Sequence, residues 1–339
     1  PTLAGVKRAA AATLAVMLLA ACGSDREAGE APAPQPPAYR LDGTLRLNQI
    51  QVLGTHNSYH VAPSPGPTLT PDRDITQAPL RVQLERQSVR QIELDVHATA
   101  GGPLAVFHLR GDEGTTCPTF VACLREVREW SASHRGHVPL FVLVEPKHEV
   151  GALVDGLAVD AEIRSVFSPD QLLAPDDVQG RWPSLRQAVQ EGGWPVLGSV
   201  RDKVVFVYND EVLTRSAYTT GETSLQGRAM FVYASPPSPI AAVTSVPDAR
   251  LEPARITGLV RAGFIVRTRA DDSGVEARAN DPSRAQAALA SGAQLVSTDF
   301  PAPAPSGYVV PAPGNPARCN PVTAPPEMAC SPEDVERLR

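Results

Sequence analysis

The 339-residue chain carries no basic excess: 31 Lys and Arg stand against 37 Asp and Glu, a net charge of −6. That balance argues against nucleic acid as a partner and gives no general pull toward anionic membranes. Cysteine is scarce, with 5 residues, and no two of them form a C-x-x-C pair, which disfavours a four-cysteine zinc site. The most apolar stretch, Ala9 to Ala21, is too short for a comfortable bilayer span. No internal repeat is evident. No second proline-rich linker divides the residues between 39 and 300, so one large domain is expected there.

Lys7 and Arg8 precede the apolar stretch, which ends Leu19-Ala20-Ala21-Cys22. A basic start and a short apolar core without a polar face read as a secretory signal over residues 1–21. Its end resembles the bacterial lipobox, which implies cleavage before Cys22, lipidation of that cysteine, and an exported protein anchored at a periplasmic or cell-surface membrane. The sequence opens on Pro1, so the natural start is expected upstream. Residues 22–38, rich in Ala, Pro, Glu and Gly, bury too little to offset ordering and read as a flexible linker. Cys117, Cys123, Cys319 and Cys330 remain, and in an exported protein they favour two disulfides with three possible pairings. Proximity in sequence favours Cys117–Cys123 and Cys319–Cys330. The proline-rich tail, 301–339, reads as an extended strap over the body, pinned by the second disulfide rather than by a core.

Eight short runs rich in Val, Ile, Leu and Phe predict strands near 48–53, 91–96, 104–108, 139–145, 203–208, 229–233, 263–267 and 294–298. Helical spacing falls between several of them. Pro79 to Gln87 has Leu80 and Leu84 at i, i+4, although Val82 fits alternation as well. Cys117 to Ser133 offers Phe120, Leu124 and Val127, and Ser283 to Ser291 ends at Gly292. Parallel strands with intervening helices predict an irregular (β/α)8 TIM barrel over 39–300, with its site at the carboxyl ends of the strands. Residues 98–103 are too few for a helix, so strands two and three there are either irregular barrel neighbours or a hairpin.

Four of these strands end in polar chemistry. Gly54-Thr55-His56-Asn57-Ser58-Tyr59 follows the first, and Ile92-Glu93-Leu94-Asp95 lies in the second. His108 ends Val106-Phe107-His108, and Leu143-Val144-Glu145-Pro146-Lys147 closes the fourth. Glu93 and Asp95 share a strand face, and two like charges there need a cation to coexist cheaply. Asn57, Glu93, Asp95 and Glu145 offer the hard oxygen ligands calcium requires. His56 and His108 are the candidate proton carriers, and together these residues point to a metal-assisted phosphodiester site. His60, His97, His134, His137 and His148 read as bystanders, His97 least securely because it follows the E-x-D strand.

This constellation, spread from about Leu45 to Pro301, resembles the calcium-dependent phosphoinositide-specific phospholipase C family in its compact bacterial form. The resemblance implies a phosphoinositide or related phosphodiester substrate, a monomer, catalytic His56 and His108, and calcium held by Asn57, Glu93, Asp95 and Glu145. It also implies phosphate or inositol contacts from Lys147, Arg267 and Arg269. Glycerophosphodiester phosphodiesterases share the barrel, an E-x-D pair and two histidines, but they open on His-Arg-Gly where this chain has His56-Asn57-Ser58. A non-catalytic lipoprotein that binds calcium or inositol phosphates is the rival from another class.

Overall fold

A computed structural model describes residues 39–63, 74–210, 214–314 and 316–337. The signal segment, Cys22 and the linker lie outside the described residues. Ten strands follow in chain order: β1 Ile50–Thr55, β2 Gln91–His97, β3 Ala105–Val106, β4 Leu140–Pro146, β5 Val204–Tyr208, β6 Met230–Val232, β7 Val243–Ser245, β8 Ile265–Arg269, β9 Leu295–Thr298 and β10 Ala317–Cys319. Eight of them form a parallel sheet in the order β6-β5-β4-β2-β1-β9-β8-β7. A parallel bridge between Tyr233 and Val243 joins the two ends, so the sheet curls into a barrel that is thinnest between β6 and β7. The central strands are buried along their whole length, as strands covered on one face by helices and on the other by the barrel interior must be.

Two strand assignments need correction. The run 104–108 is not a barrel strand: β3 folds back antiparallel on β2, pairing Val96 with Val106 and His97 with Ala105. The seven-residue gap between β2 and β3 can close only a hairpin, because a parallel return needs a crossover of a dozen residues or more. The eighth barrel position belongs instead to β7, which the sequence disguises. Ala241-Ala242-Val243-Thr244-Ser245 is short, built of small side chains, and lies among prolines.

The three expected helices form. Leu80–Arg86 starts after Pro79, and Ser283–Ala290 stops just before Gly292, whose φ of +82° suits glycine. Phe120–Ser133 is capped by Thr119, whose hydroxyl accepts from the Ala122 N–H at 3.2 Å. It turns Phe120, Cys123, Leu124, Val127 and Trp130 inward, a stripe at helical spacing.

The disulfides are Cys117–Cys123 and Cys319–Cys330. The tail is held by more than the second of these. Tyr308, Val310, Ala317 and Val335 are buried, and β10 runs antiparallel to β1. Val52 pairs with both Leu295 and Ala317, so β10 sits on the β2 side of β1 and fills the gap below the Gly54–Gln91 contact.

Candidate active site

The turn after β1 is built to present His56 and Asn57. Gly54 is required by its neighbour: a Cβ there would lie 1.9 Å from Gln91 Oε1. With no side chain in the way, Gln91 crosses over Gly54, donates to the Thr55 carbonyl at 3.0 Å and accepts from the Ser297 hydroxyl at 2.5 Å. Asn57 adopts φ +44°, a left-handed conformation that asparagine tolerates better than most residues. Ser58 then pins the turn to β2, its hydroxyl accepting from the Glu93 N–H at 2.8 Å. Gln83, on helix Leu80–Arg86, donates to the Ser58 carbonyl at 2.6 Å.

Three carboxylates converge beside this turn. Asp95 and Glu145 are register partners on β2 and β4, and Glu93 lies two residues before Asp95 on the same face. Oxygen atoms of Glu93, Asp95 and Glu145 all lie within 4.8 Å of one another. Cations of the chain itself surround them. Arg267 Nη2 donates to Glu93 at 2.9 Å, Lys147 Nζ is 3.0 Å from Asp95 and bonds Glu145, and Asn209 donates to Glu145 at 3.1 Å. Burial raises the Glu93 carboxyl, but Arg267, His56, Arg269 and Lys147 together outweigh it and hold the group below its usual range. Asp95 fares differently, pushed up to about 7 by burial and by Glu145 beside it, with Lys147 offsetting only part. Asp95 is fully buried, and its carboxylate meets the Lys147 ammonium and the buried Tyr59 hydroxyl, which faces it. Three carboxylates this close, one of them fully buried and only partly neutralised by a single ammonium, are a donor set that suits a hard divalent cation.

A histidine–carboxylate pair stands on either side. His56 Nδ1 meets Asp299 Oδ1 at 2.8 Å, and Arg269 Nη2 donates to the other oxygen of Asp299 at 3.1 Å. Burial lowers the His56 pKa, but Asp299 and then Glu93 outweigh burial and the opposing Arg269, so the group lies above its ordinary value. On the far side, His108 Nδ1 meets Asp112 Oδ2 at 3.0 Å. Burial takes His108 below its ordinary value, Lys147 and His60 add to that, and Asp112 opposes it.

The candidate catalytic, metal and substrate residues His56, Asn57, Glu93, Asp95, Glu145, Lys147, Arg267 and Arg269 therefore lie in or just after β1, β2, β4 and β8, and His108 follows β3. Lys147, Arg267 and Arg269 are already engaged with carboxylates. Asp299 and Asp112 escaped notice in the sequence. Asp299 directly follows β9, so the strand-end criterion that found the others could have found it. Asp112 sits in a hairpin loop with no pattern to mark it. His60, set aside earlier, shares Asp112 with His108. His97 is locked between Glu149 at 3.0 Å and the Phe107 carbonyl at 2.9 Å, and it stacks on Phe107.

A parallel barrel with two histidine–aspartate pairs flanking a carboxylate cluster at its strand ends fits a barrel phosphodiesterase. The chain belongs to the calcium-dependent phosphoinositide phospholipase C family, whose model, "Phosphoinositide phospholipase C, Ca2+-dependent", matches residues 45–106 and 103–321. Among solved structures it is similar to a calcium-dependent phosphoinositol-specific phospholipase C from a Pseudomonas species, with a myoinositol complex. That match has a TM-score of 0.58 at 18% identity and covers 82% of this chain and 96% of that one. The calcium-dependent phosphatidylinositol-specific enzyme of Streptomyces antibioticus gives 0.56 at 19% identity, covering 76% and 95%. The phosphatidylinositol-specific phospholipase C of Listeria monocytogenes gives 0.50 at 11%, covering 78% and 92%. At these identities the structural likeness speaks for the fold. No curated protein matches the sequence significantly.

Proposed function

We propose that this protein cleaves phosphatidylinositol-type lipids to diacylglycerol and a cyclic inositol phosphate, with calcium held by Asn57, Glu93, Asp95 and Glu145. The observation that carries the reading is the convergence of Glu93, Asp95 and Glu145 between two histidine–aspartate pairs, in a chain of this family. Calcium bound there would lower the pKa of the inositol 2-hydroxyl and neutralise charge building on the phosphoryl oxygens. Glu93 or Glu145 accepts the 2-hydroxyl proton as that oxygen attacks phosphorus. His56, whose protonated form Asp299 favours, donates to the phosphoryl oxygens. His108 gives a proton to the departing diacylglycerol oxygen, and water can then open the cyclic product slowly with the histidines in reversed roles. Lys147, Arg267 and Arg269 supply positive charge toward the phosphodiester, Arg267 from behind Glu93. The two disulfides fit an exported protein, and Cys22 is the proposed lipid anchor.

Phosphorus NMR of residues 39–339 with phosphatidylinositol and calcium, then with chelator, tests the reading. A cyclic phosphodiester that appears with calcium and stops with chelator is the expected result. An acyclic monoester from the first turnover would mean direct attack by water and would overturn it. Calcium binding without turnover of any inositol phosphodiester would favour the non-catalytic reading.

A further inference from the structure

The hydrogen-bond geometry around His60 bears on His108. His60 is buried in the chain leaving β1, with Nδ1 2.6 Å from the Ile75 carbonyl oxygen. A carbonyl can only accept, so Nδ1 carries a hydrogen. Its other nitrogen, Nε2, faces Asp112 Oδ1 at 3.0 Å. Were His60 neutral and Asp112 ionised, a lone pair would face a carboxylate oxygen inside the protein. A proton must therefore occupy that gap, and His60 and Asp112 form a locked unit. The second oxygen of Asp112, Oδ2, faces His108 Nδ1 at 3.0 Å. The rings of His60 and His108 stand edge to face at 5.6 Å, on either side of one buried carboxylate.

The backbone is arranged to produce this. His60 bridges Thr115, and Val61 N–H donates to the Gly114 carbonyl at 3.0 Å, stitching the loop after β3 to the turn after β1. A Cβ on Gly114 would lie 2.0 Å from the Val61 carbonyl oxygen, so only glycine permits the approach. Leu109 and Asp112 close a tight turn between His108 and Gly114, with the Asp112 N–H donating to the Leu109 carbonyl at 2.8 Å. Cys117–Cys123 fastens the far end of the loop to helix Phe120–Ser133.

We propose that Asp112, locked in place by His60, is the positioning residue that fixes His108 with Nδ1–H bound and Nε2 left to exchange a proton with the leaving oxygen. This rests on the reading of His108 as proton donor. The imidazolium gives its Nε2 proton to the departing oxygen as the phosphorus–oxygen bond breaks. What remains is neutral imidazole with its hydrogen on Nδ1, the tautomer Asp112 holds. His60 serves by holding the Oδ1 side of Asp112, which leaves Oδ2 toward His108.

The test compares substrates whose leaving groups need a proton to different degrees. With phosphatidylinositol, whose alkoxide leaves poorly, Asp112→Asn lowers kcat roughly 10²–10³-fold, within the range general acids supply. With a nitrophenyl inositol phosphate the loss is at least tenfold smaller. His60→Leu shows the same pattern, and His60→Gln, whose amide can still donate to Asp112, restores much of the rate. Independently of activity, ring-nitrogen NMR of the wild type shows neutral His108 as the Nδ1–H tautomer and a hydrogen on His60 Nδ1. Equal losses on both substrates, no loss, failure of His60→Gln to rescue, or His108 as the Nε2–H tautomer would each overturn the proposal. If the variants do not fold, the wild-type NMR decides alone. A wild type inert toward both substrates would sink the proposed function, while the tautomer measurement would still judge the positioning.

Discussion

Lys147 is the side chain that would compete with calcium at the proposed site. Its ammonium stands 3.0 Å from Asp95 and bonds Glu145, so it neutralises the cluster that a divalent cation would otherwise neutralise. Burial lowers its pKa, but Asp95 and Glu145 outweigh that and hold it well above the usual lysine range. Two unit charges about 4 Å apart interact by about 4 kcal/mol at an effective dielectric of 20, so the competition is not a small one. Lys147→Met should therefore tighten calcium binding, measured by titration calorimetry, by about tenfold or more. Unchanged or weaker binding would mean that calcium sits elsewhere or that Lys147 does not compete for its place. Much of this site was legible in the sequence because apolar strands ended abruptly in Glu93, Asp95, Glu145 and His56, and a charge that ends such a run needs a partner. What escaped were the residues that orient the histidines. Asp299 and Asp112 reach His56 and His108 across 243 and 4 positions of chain, and only folding says which carboxylate faces which ring.

At the scale of elements, the barrel floor is closed by the tail. Arg90, leading into β2, donates to Glu336 at 3.0 Å, and the same carboxylate accepts from the Val138 N–H at 3.0 Å. Arg90 also donates to the Leu84 and Val89 carbonyls at 2.8 Å and lies 4.8 Å from the centre of the Trp130 ring. Both members of the pair are buried, so removing one strands the other. Glu336→Ala should cost about 3–5 kcal/mol in denaturant unfolding. The double variant Arg90→Met, Glu336→Leu should cost clearly less, since it buries no unpaired charge. A cost below 1 kcal/mol for the single variant would mean that the tail docks loosely. The sequence could not foresee this floor. Parallel strands announce themselves by continuous apolar runs, whereas the tail contributes isolated apolar residues and one carboxylate at the far end of the chain. The same limit hid β7, whose three residues pair with β8 without a run long enough to stand out.

On the scale of the whole molecule, the question is how a chain of net charge −6 would meet a lipid substrate. Charge offers no general attraction to an anionic bilayer, so contact must come from apolar surface. The loop that follows β4 supplies it. Val150 is fully exposed, at 108%, with Leu153 at 56%, and Leu157 at 45% adjoins them in the first turn of helix Gly156–Val166. The loop stands beside the site because Glu149 binds His97 at 3.0 Å and Arg110 at 3.0 Å, and Lys147 precedes it by two residues. Each such side chain gains about 1.5–3 kcal/mol when fully removed from water, and at a membrane surface part of that is realised. Val150→Asp with Leu153→Asp should lower turnover of phosphatidylinositol in neutral vesicles at least tenfold. Turnover of a short, soluble inositol phosphodiester should stay at the wild-type rate, because neither residue touches the carboxylates or the histidines. Equal losses on both substrates would place the loop within the site rather than at the membrane. Equal rates on both would leave the lipid anchor proposed at Cys22 to bring the protein and its substrate together.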